Sequence, residues 1–251
     1  MGRRTLRSNK KIIEKKEKRK GGLKPKKGTK VKKQSVKYLS HFLRIYKGLN
    51  DWHLPIFTEV KEFCGDINTV LYPGCDKHLS ASLVFSNVTY LDFNPKMEPF
   101  FSDSAIHSWI EDNRKYTDSP TINFQNIDYM KFFAQNTSNF DLVISASAGL
   151  ISNSPCLEFL RPSGHFLVSD AHFDARNVFT KANFNLIGVY NPNIKKLEID
   201  KVSLEGHFIT TENKKITKEQ VSESISKPKN KRSFKLKKEA QFMFYLFKKI
   251  K

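Results

Sequence analysis

Residues 69–92, TVLYPGCDKHLSASLVFSNVTYLD, set the pattern for the rest of the chain. An apolar run at Val70 and Leu71 leads into Pro73-Gly74, a short amphipathic segment (79–85) follows, and a second apolar run, Val88 to Leu91, ends in Asp92. The alternation reads as strand, glycine turn, helix, strand. A strand that follows such a crossover lies parallel to the first. The glycine turn and the terminal acid then sit side by side at the carboxyl ends of the strands, where open α/β sheets bind ligands. A nucleotide-type ligand needs this arrangement, with its charged part over a glycine backbone and its ribose hydroxyls on the carboxylate.

The same reading extends along the chain. Residues 1–36 are poor in apolar side chains and rich in Lys and Gly, a composition expected to stay disordered without a partner; one helix, Asn9 to Arg19, is conceivable within them. From Val36, the residues Tyr38, Phe42, Leu43, Ile45, Tyr46 and Leu49 recur at helical spacing, and a second helix, about Pro55 to Cys64, carries Ile56, Phe57, Val60 and Phe63 on one face. Helical spacing follows again over Ala105 to Asn113, and Thr121 to Gln125 alternates as a short strand. Phe140 to Ser145 is a buried strand. Ser154 to Leu160 reads as a short helix with Ser154 as cap and Pro155 at the first helical position. Ser163-Gly164 then turns into a strand, His165 to Ser169, that ends at Asp170. Phe184 to Tyr190 is a further strand, residues 196–211 alternate as a β-hairpin around Glu205-Gly206, residues 212–235 form a Lys-rich loop, and Gln241 to Phe247 is the last strand. Alternating strands and helices predict an α/β fold, a mostly parallel central sheet with helices on both faces. The expected organisation is a basic tail, 1–36, and one domain, 37–251.

Composition refines this picture at three points. Hydrophobic content of 39% with 21 Phe supports a buried core, and no apolar run approaches the length of a membrane span. The three cysteines (Cys64, Cys75, Cys156) lack metal-ligand spacing and read as thiols of a reducing, intracellular setting. The formal charge of +19 is unevenly placed: residues 1–40 hold 17 Lys/Arg and 2 acids, residues 214–251 hold 13 and 3, and the middle holds 14 and 20. A mildly acidic centre with two basic ends attracts polyanions by counterion release, with little sequence specificity. Nucleic acid, RNA in particular, is the expected partner of residues 1–36 and 214–238. A solubilising or targeting role, or attraction to an anionic membrane surface, fits the same charges, and a nuclear import signal is open to a eukaryotic source.

These motifs resemble the class I S-adenosylmethionine-dependent methyltransferases from about Ile67 to Asp174, and more loosely to the last strand. TVLYPGCDKH is similar to the family's glycine-rich loop, and VTYLD ends in Asp92, like its ribose-binding acid. QNIDY places Asp128 where the family bonds the adenine amino group. FDLVISASAGLIS resembles the fourth strand with its active-site edge, and LEFLRPSGHFLVSD the turn and fifth strand. The closer resemblance is to a little-characterised bacterial and archaeal branch with a Tyr-Pro-Gly motif, here Tyr72-Pro73-Gly74, and a following serine-rich helix, Ser80 to Phe85. The resemblance implies a Rossmann-like methyltransferase fold and S-adenosylmethionine as cofactor, held by Tyr72, Gly74, Cys75, Asp76, Asp92, Phe93, Ile127, Asp128 and Ser145. The chain departs from the general pattern where Tyr72 replaces an acid and Asp76 and His78 replace two glycines.

Methyl transfer is an in-line displacement that depends largely on positioning, and a base is needed only where the acceptor must lose a proton. The acceptor pocket is expected near Ser145 to Gly149 and Asp170 to Asp174. If Asp170-Ala171-His172-Phe173-Asp174 is extended, its three polar side chains point one way, which suits a base or a metal site and makes Asp170 and His172 candidate bases or metal ligands; otherwise Asp170 caps the next helix, while His172 and Asp174 line the pocket or face solvent. Cys156, in a Pro-Cys pair, is a weaker candidate nucleophile placed inside a helix. No metal is assigned to the leading reading. The leading expectation is a methyltransferase acting on RNA or an RNA-associated substrate. The alternatives are a catalytically inactive methyltransferase-like RNA-binding or ribonucleoprotein-assembly factor, and a small-molecule methyltransferase.

Overall fold

The computed structural model describes residues 38–46, 53–133, 140–228, 231–232, 234–238 and 243–250. The expected basic tail and the helix from Asn9 to Arg19 lie outside these residues. Two helices come first, α1 (residues 38–46) and α2 (His53–Cys64). The strands and helices of the sheet layers follow: β1 (Val70–Pro73), β2 (Asn87–Asp92), α3 (Glu98–Phe101), α4 (Ser104–Asn113), β3 (Thr121–Asn126), β4 (Phe140–Ser145), β5 (Leu160–Ser169), α5 (Asp174–Phe179), β6 (Phe184–Asn191), β7 (Lys196–Glu198), α6 (Lys201–Glu205), α7 (Lys218–Ser226) and β8 (Phe244–Lys249).

All eight strands form one sheet in the order β3-β2-β1-β4-β5-β8-β6-β7. The pairs β3·β2, β2·β1, β1·β4 and β4·β5 are parallel, while β8 lies antiparallel between β5 and β6. The order reverses beside β1, so the carboxyl ends of β1, β2 and β4 meet at a topological switch point. This is the layout expected of a Rossmann-like methyltransferase fold. Every residue of β1 and β4 is buried, as parallel strands covered on both faces must be. Val70 and Tyr72 face one apolar cluster with Phe57, Tyr90 and Phe100; Leu71 faces the other with Leu91, Val143 and Phe166.

Local chemistry explains the boundaries. In α1 the four-residue spacing of Phe42 and Tyr46 sets both rings against Trp109, at centroid distances of 5.3 and 5.1 Å. In α2 Ile56, Phe57 and Val60 are buried while Phe63, expected on the same face, is exposed. Asp141, the second residue of β4, accepts hydrogen bonds from the backbone N–H of Asn68 (2.6 Å) and Thr69 (2.9 Å), and Arg161 pairs with it at 2.8 Å. This carboxylate ties the entry of β1 to β4.

Four expectations are corrected. The segment after β1 is a four-residue 3-10 turn, Ser80–Leu83, not a longer helix. Its serines face inward, and Ser82 Oγ lies 2.7 Å from the Tyr90 hydroxyl, which holds the turn on β2. Ser154 caps as expected, but only over a 3-10 turn, Pro155–Leu157, and β5 begins at Leu160. Residues 161–164 bulge out of the β4·β5 ladder. No hairpin forms around Glu205-Gly206. The hairpin is β6·β7, and Asp200 starts α6 by accepting from Ser203 N–H at 2.8 Å. Leu204 and Phe208, four apart, are both buried, so helical spacing wins over the alternation. The Lys-rich stretch 212–235 contains α7, opened by a capping box of Thr217 and Gln220 and seated on Val221 and Ser224.

Candidate functional site

The candidate site lies at the carboxyl ends of β1, β2, β3 and β4. Register pairs Pro73 of β1 with Leu91 of β2, so the loop after β1 starts beside Asp92. Gly74 N–H donates to Leu91 O at 2.8 Å with φ +64°, a turn that favours glycine. Asp76 N–H donates to Asp92 Oδ2 at 3.0 Å, and Asn94 N–H to Asp92 Oδ1 at 2.9 Å. Two backbone donors thus orient the Asp92 carboxylate while leaving lone pairs on each oxygen for further donors. Asn126 Nδ2 reaches Asp92 O at 2.9 Å and ties the ends of β2 and β3 together.

Asp128 follows β3 and caps the short turn Tyr129–Lys131 by accepting from Met130 N–H at 2.9 Å. Phe93 is 73% exposed beside Asp92, and Ile127 is half-buried. Asp92, Phe93, Ile127 and Asp128 therefore follow the adjacent ends of β2 and β3, with two carboxylates for polar edges and two apolar side chains beside them. The arrangement fits an adenosine unit.

The neighbouring half of the site is covered. The segment after β4 crosses from β5 to β1: Ser147 N–H donates to Ser169 Oγ at 3.1 Å, and Ala148 lies on Gly74. A Cβ placed on Gly74 would stand 2.3 Å from the Ala148 Cβ. Tyr129 closes the same place from the β3 side, its hydroxyl 3.4 Å from Ala148 O and tight against the Cα face of Gly149. A ligand group carried over this face of Gly74 must displace Ala148 and Gly149. The residues of this structure fit the nucleoside half of S-adenosylmethionine and, in this conformation, do not leave the face of Gly74 open to its amino-acid half.

The other expected site residues have different surroundings. Tyr72 is buried and its hydroxyl is 2.8 Å from His78 Nδ1, beneath the loop rather than in the cleft. Cys75 is buried with Sγ 3.5 Å from Leu91 O, and burial, reinforced by Asp92, pushes its thiol well above the usual range. The Asp76 side chain is exposed, 3.9 Å from Lys77 Nζ. Ser145 is turned into the interior, where its hydroxyl donates to Asp174 Oδ2 at 2.7 Å. Asp174 also accepts from Ser152 N–H at 2.9 Å, and burial raises its carboxyl to about 6 despite these donors.

The segment from Asp170 to Asp174 is not extended. Residues Ala171–Phe173 form a 3-10 turn in which His172 and Phe173 have φ of 63° and 70°. Asp170 is held by Arg176 through Nε (2.6 Å) and through the Arg176 N–H (3.0 Å), so it supports the first turn of α5. Asp174 turns inward. The three polar side chains do not share one direction, and Asp170 is committed to an ion pair rather than poised as a base. Cys156 is buried with Sγ 3.6 Å from Tyr129 O, and burial raises its thiol to about 11, which keeps it protonated and unreactive. All three cysteines are free thiols. Among the described residues no group of three or more His, Cys, Asp and Glu could hold a metal, and no helix is long and apolar enough to cross a membrane.

Sequence reasoning placed Ser147 and Ala148 in the acceptor pocket but missed Tyr129, Ser169 and the strap that these four residues build across the site. The one signal available was the run of small residues after β4, Ser145 to Gly149, which permits close passage over a glycine loop.

No protein-family model and no curated protein matches the chain. Solved structures do. The plantazolicin methyltransferase BpumL, in complex with S-adenosylhomocysteine, is 11% identical over 89% of this chain and 99% of its own, with a TM-score of 0.42. The N-methyltransferase NodS of Bradyrhizobium japonicum WM9, also with S-adenosylhomocysteine, is 15% identical over 47% of this chain and 59% of its own (TM-score 0.32). The [4+2]-cyclase SpnF is 17% identical over 46% and 42% (TM-score 0.34). In these last two matches the chain spans less than two thirds of the solved chain. The fold stands on the strand order of this sheet, independently of these likenesses.

Proposed function

We propose that this chain binds S-adenosylmethionine at the carboxyl edge of β1 to β4 and transfers its methyl group to an RNA or RNA-associated acceptor. One observation carries the cofactor reading: Asp92 ends β2 beside the glycine turn, its carboxylate oriented by Asp76 and Asn94 N–H. Asp92 would take the ribose hydroxyls, Asp128 the adenine edge, and Phe93 and Ile127 the faces of the base. The cofactor when bound supplies the electrophilic methyl. The acceptor class rests on charge, since residues 1–40 carry 17 Lys/Arg and a polyanion is their natural partner. The Ala148 contact on Gly74 favours a second reading, a nucleoside-binding protein without methyl transfer.

Calorimetry with adenosine, S-adenosylhomocysteine and S-adenosylmethionine tests both. The first reading expects the two full-length ligands to bind more tightly than adenosine, and Asp92→Ala to weaken all three at least tenfold. Equal affinity for adenosine and S-adenosylhomocysteine would select the second reading. If none of the three binds at millimolar concentration or raises Tm, both are wrong.

A further inference from the structure

A cavity of about 420 Å³ opens between α1, the loop after β1 and the turn after β2. Its walls are Tyr38, Ser40, His41, Arg44, Lys77, Lys96 and Phe100. Three cations reach it from three separate elements, and no acid is among the described lining residues. Its aromatic side is rigid: Phe100 is buried, and the Tyr38 and His41 rings meet it edge-on at 6.3 and 6.0 Å. Arg44 Nη2 lies 3.1 Å from His41 Nδ1. With arginine as the donor the imidazole is a neutral acceptor, which orients the guanidinium and leaves its other N–H groups for a ligand. Asp76 lies 3.9 Å from Lys77, but it is exposed and too solvated to neutralise the group.

Like charges gathered without acids repel one another, and an anion relieves that repulsion. An arginine fork with two lysine point charges matches phosphate oxygens, and a flanking tyrosine suits a base. The position of the cavity selects among phosphate ligands. Tyr38 is the first described residue of α1, and residues 1–37, which precede it in sequence, hold 17 Lys/Arg. The cavity is therefore lined by the helix that follows, in sequence, the most basic stretch of the chain.

We propose that this cavity is a phosphate-binding site for single-stranded RNA, with Arg44, Lys77 and Lys96 on the backbone and Tyr38 beside a base. The proposal rests on the nucleic-acid part of the reading above and is independent of cofactor binding. It places a structured contact on the fold in addition to the charge of the chain ends.

The test is fluorescence anisotropy of a labelled 12-nucleotide single-stranded RNA with the full chain, from 50 to 200 mM KCl. The variants are the exposed pair Arg44→Ala/Lys96→Ala and a control of equal charge change, Lys195→Ala/Lys201→Ala, also exposed. Single-stranded contacts contribute about 0.7 each to the slope of log affinity against log salt. Arg44→Ala/Lys96→Ala should lower the slope by about 1.4, so that between the two salt concentrations the parent loses about sevenfold more affinity than the variant. The control should leave the slope within about 0.3 of the parent. Equal slopes for the two variants would overturn the proposal, since only net charge would then matter. So would parent-like competition by inorganic phosphate or uridine monophosphate at the RNA's own concentration, or transfer of the effect to anionic vesicles in place of RNA. Cofactor calorimetry on the same variants separates the two ideas: loss of RNA contact with unchanged cofactor binding supports this site, whatever the outcome for methyl transfer.

Discussion

Replacing Gly74 by alanine examines the contact that closes the site. The residue has φ +64°, where a side chain costs about 1–2 kcal/mol. The new Cβ would stand 2.3 Å from the Ala148 Cβ and 3.4 Å from its Cα. Neighbouring backbone must shift to relieve it, at about 1–3 kcal/mol for overpacking. Reduced freedom of the unfolded chain returns about 0.4–1 kcal/mol. Gly74→Ala should therefore lower stability by about 2–4 kcal/mol, measured by urea denaturation with far-ultraviolet circular dichroism at unchanged m-value. Ala148→Gly removes the opposing Cβ and alone should cost about 0.5–1 kcal/mol in backbone freedom. In the double variant the steric part vanishes while the left-handed strain stays, so the coupling should be about 1–3 kcal/mol in favour of the pair. A Gly74→Ala change of under about 0.5 kcal/mol, or a coupling below that size, would refute the claim that Ala148 covers Gly74.

Asp174 should make stability fall as pH rises. Its folded carboxyl is raised by burial to about 6 against an ordinary value near 3.8, so the folded state holds the proton more tightly. The advantage is complete below about 3.8 and is lost as pH rises through 6, a change of about 3 kcal/mol in order of magnitude; Asp174→Asn should flatten that part of the pH–stability curve. Asp141→Ala strands the N–H groups of Asn68 and Thr69 and should cost about 2–4 kcal/mol in denaturant unfolding, with Asp141→Asn recovering part. His53, half-buried beside His78, is lowered to about 2, chiefly by desolvation. Its contribution is present above about 6.5 and is lost as pH falls, so His53→Phe should resist mild acid better than the parent. Cys156 should not react with iodoacetamide at pH 7.5 in the folded protein, read by mass spectrometry, because its thiol stays protonated.

Much of the sheet was legible because periodicity is local. The runs Val70 to Pro73, Val88 to Asp92 and Phe140 to Ser145 are strands, and Gly74 and Asp92 meet because parallel neighbours end on the same side. Asp128 also falls at the expected strand end. The alternation after residue 196 was misleading, because Leu204 and Phe208 serve a helical face that only the position of α5 and β8 creates. The Lys-rich stretch hid α7, whose few apolar residues suffice once a capping box satisfies its first turn.

The candidate site divides in the same way. Sequence alone determined which chemical groups arrive at the switch point, since strand order and length place Gly74, Asp92 and Asp128 there. Tertiary structure alone decided which of them face a ligand. Tyr72 and Ser145 alternate into the two cores, because neighbouring residues of a strand point to opposite faces and both faces are covered. Asp170 is taken by Arg176, a partner supplied by the first turn of α5. Ala148 lies on Gly74 because Ser147 is anchored to Ser169 of β5 and Tyr129 reaches over from β3. Those contacts join residues 19 to 74 positions apart, a distance that no local pattern of hydrophobic and polar residues encodes.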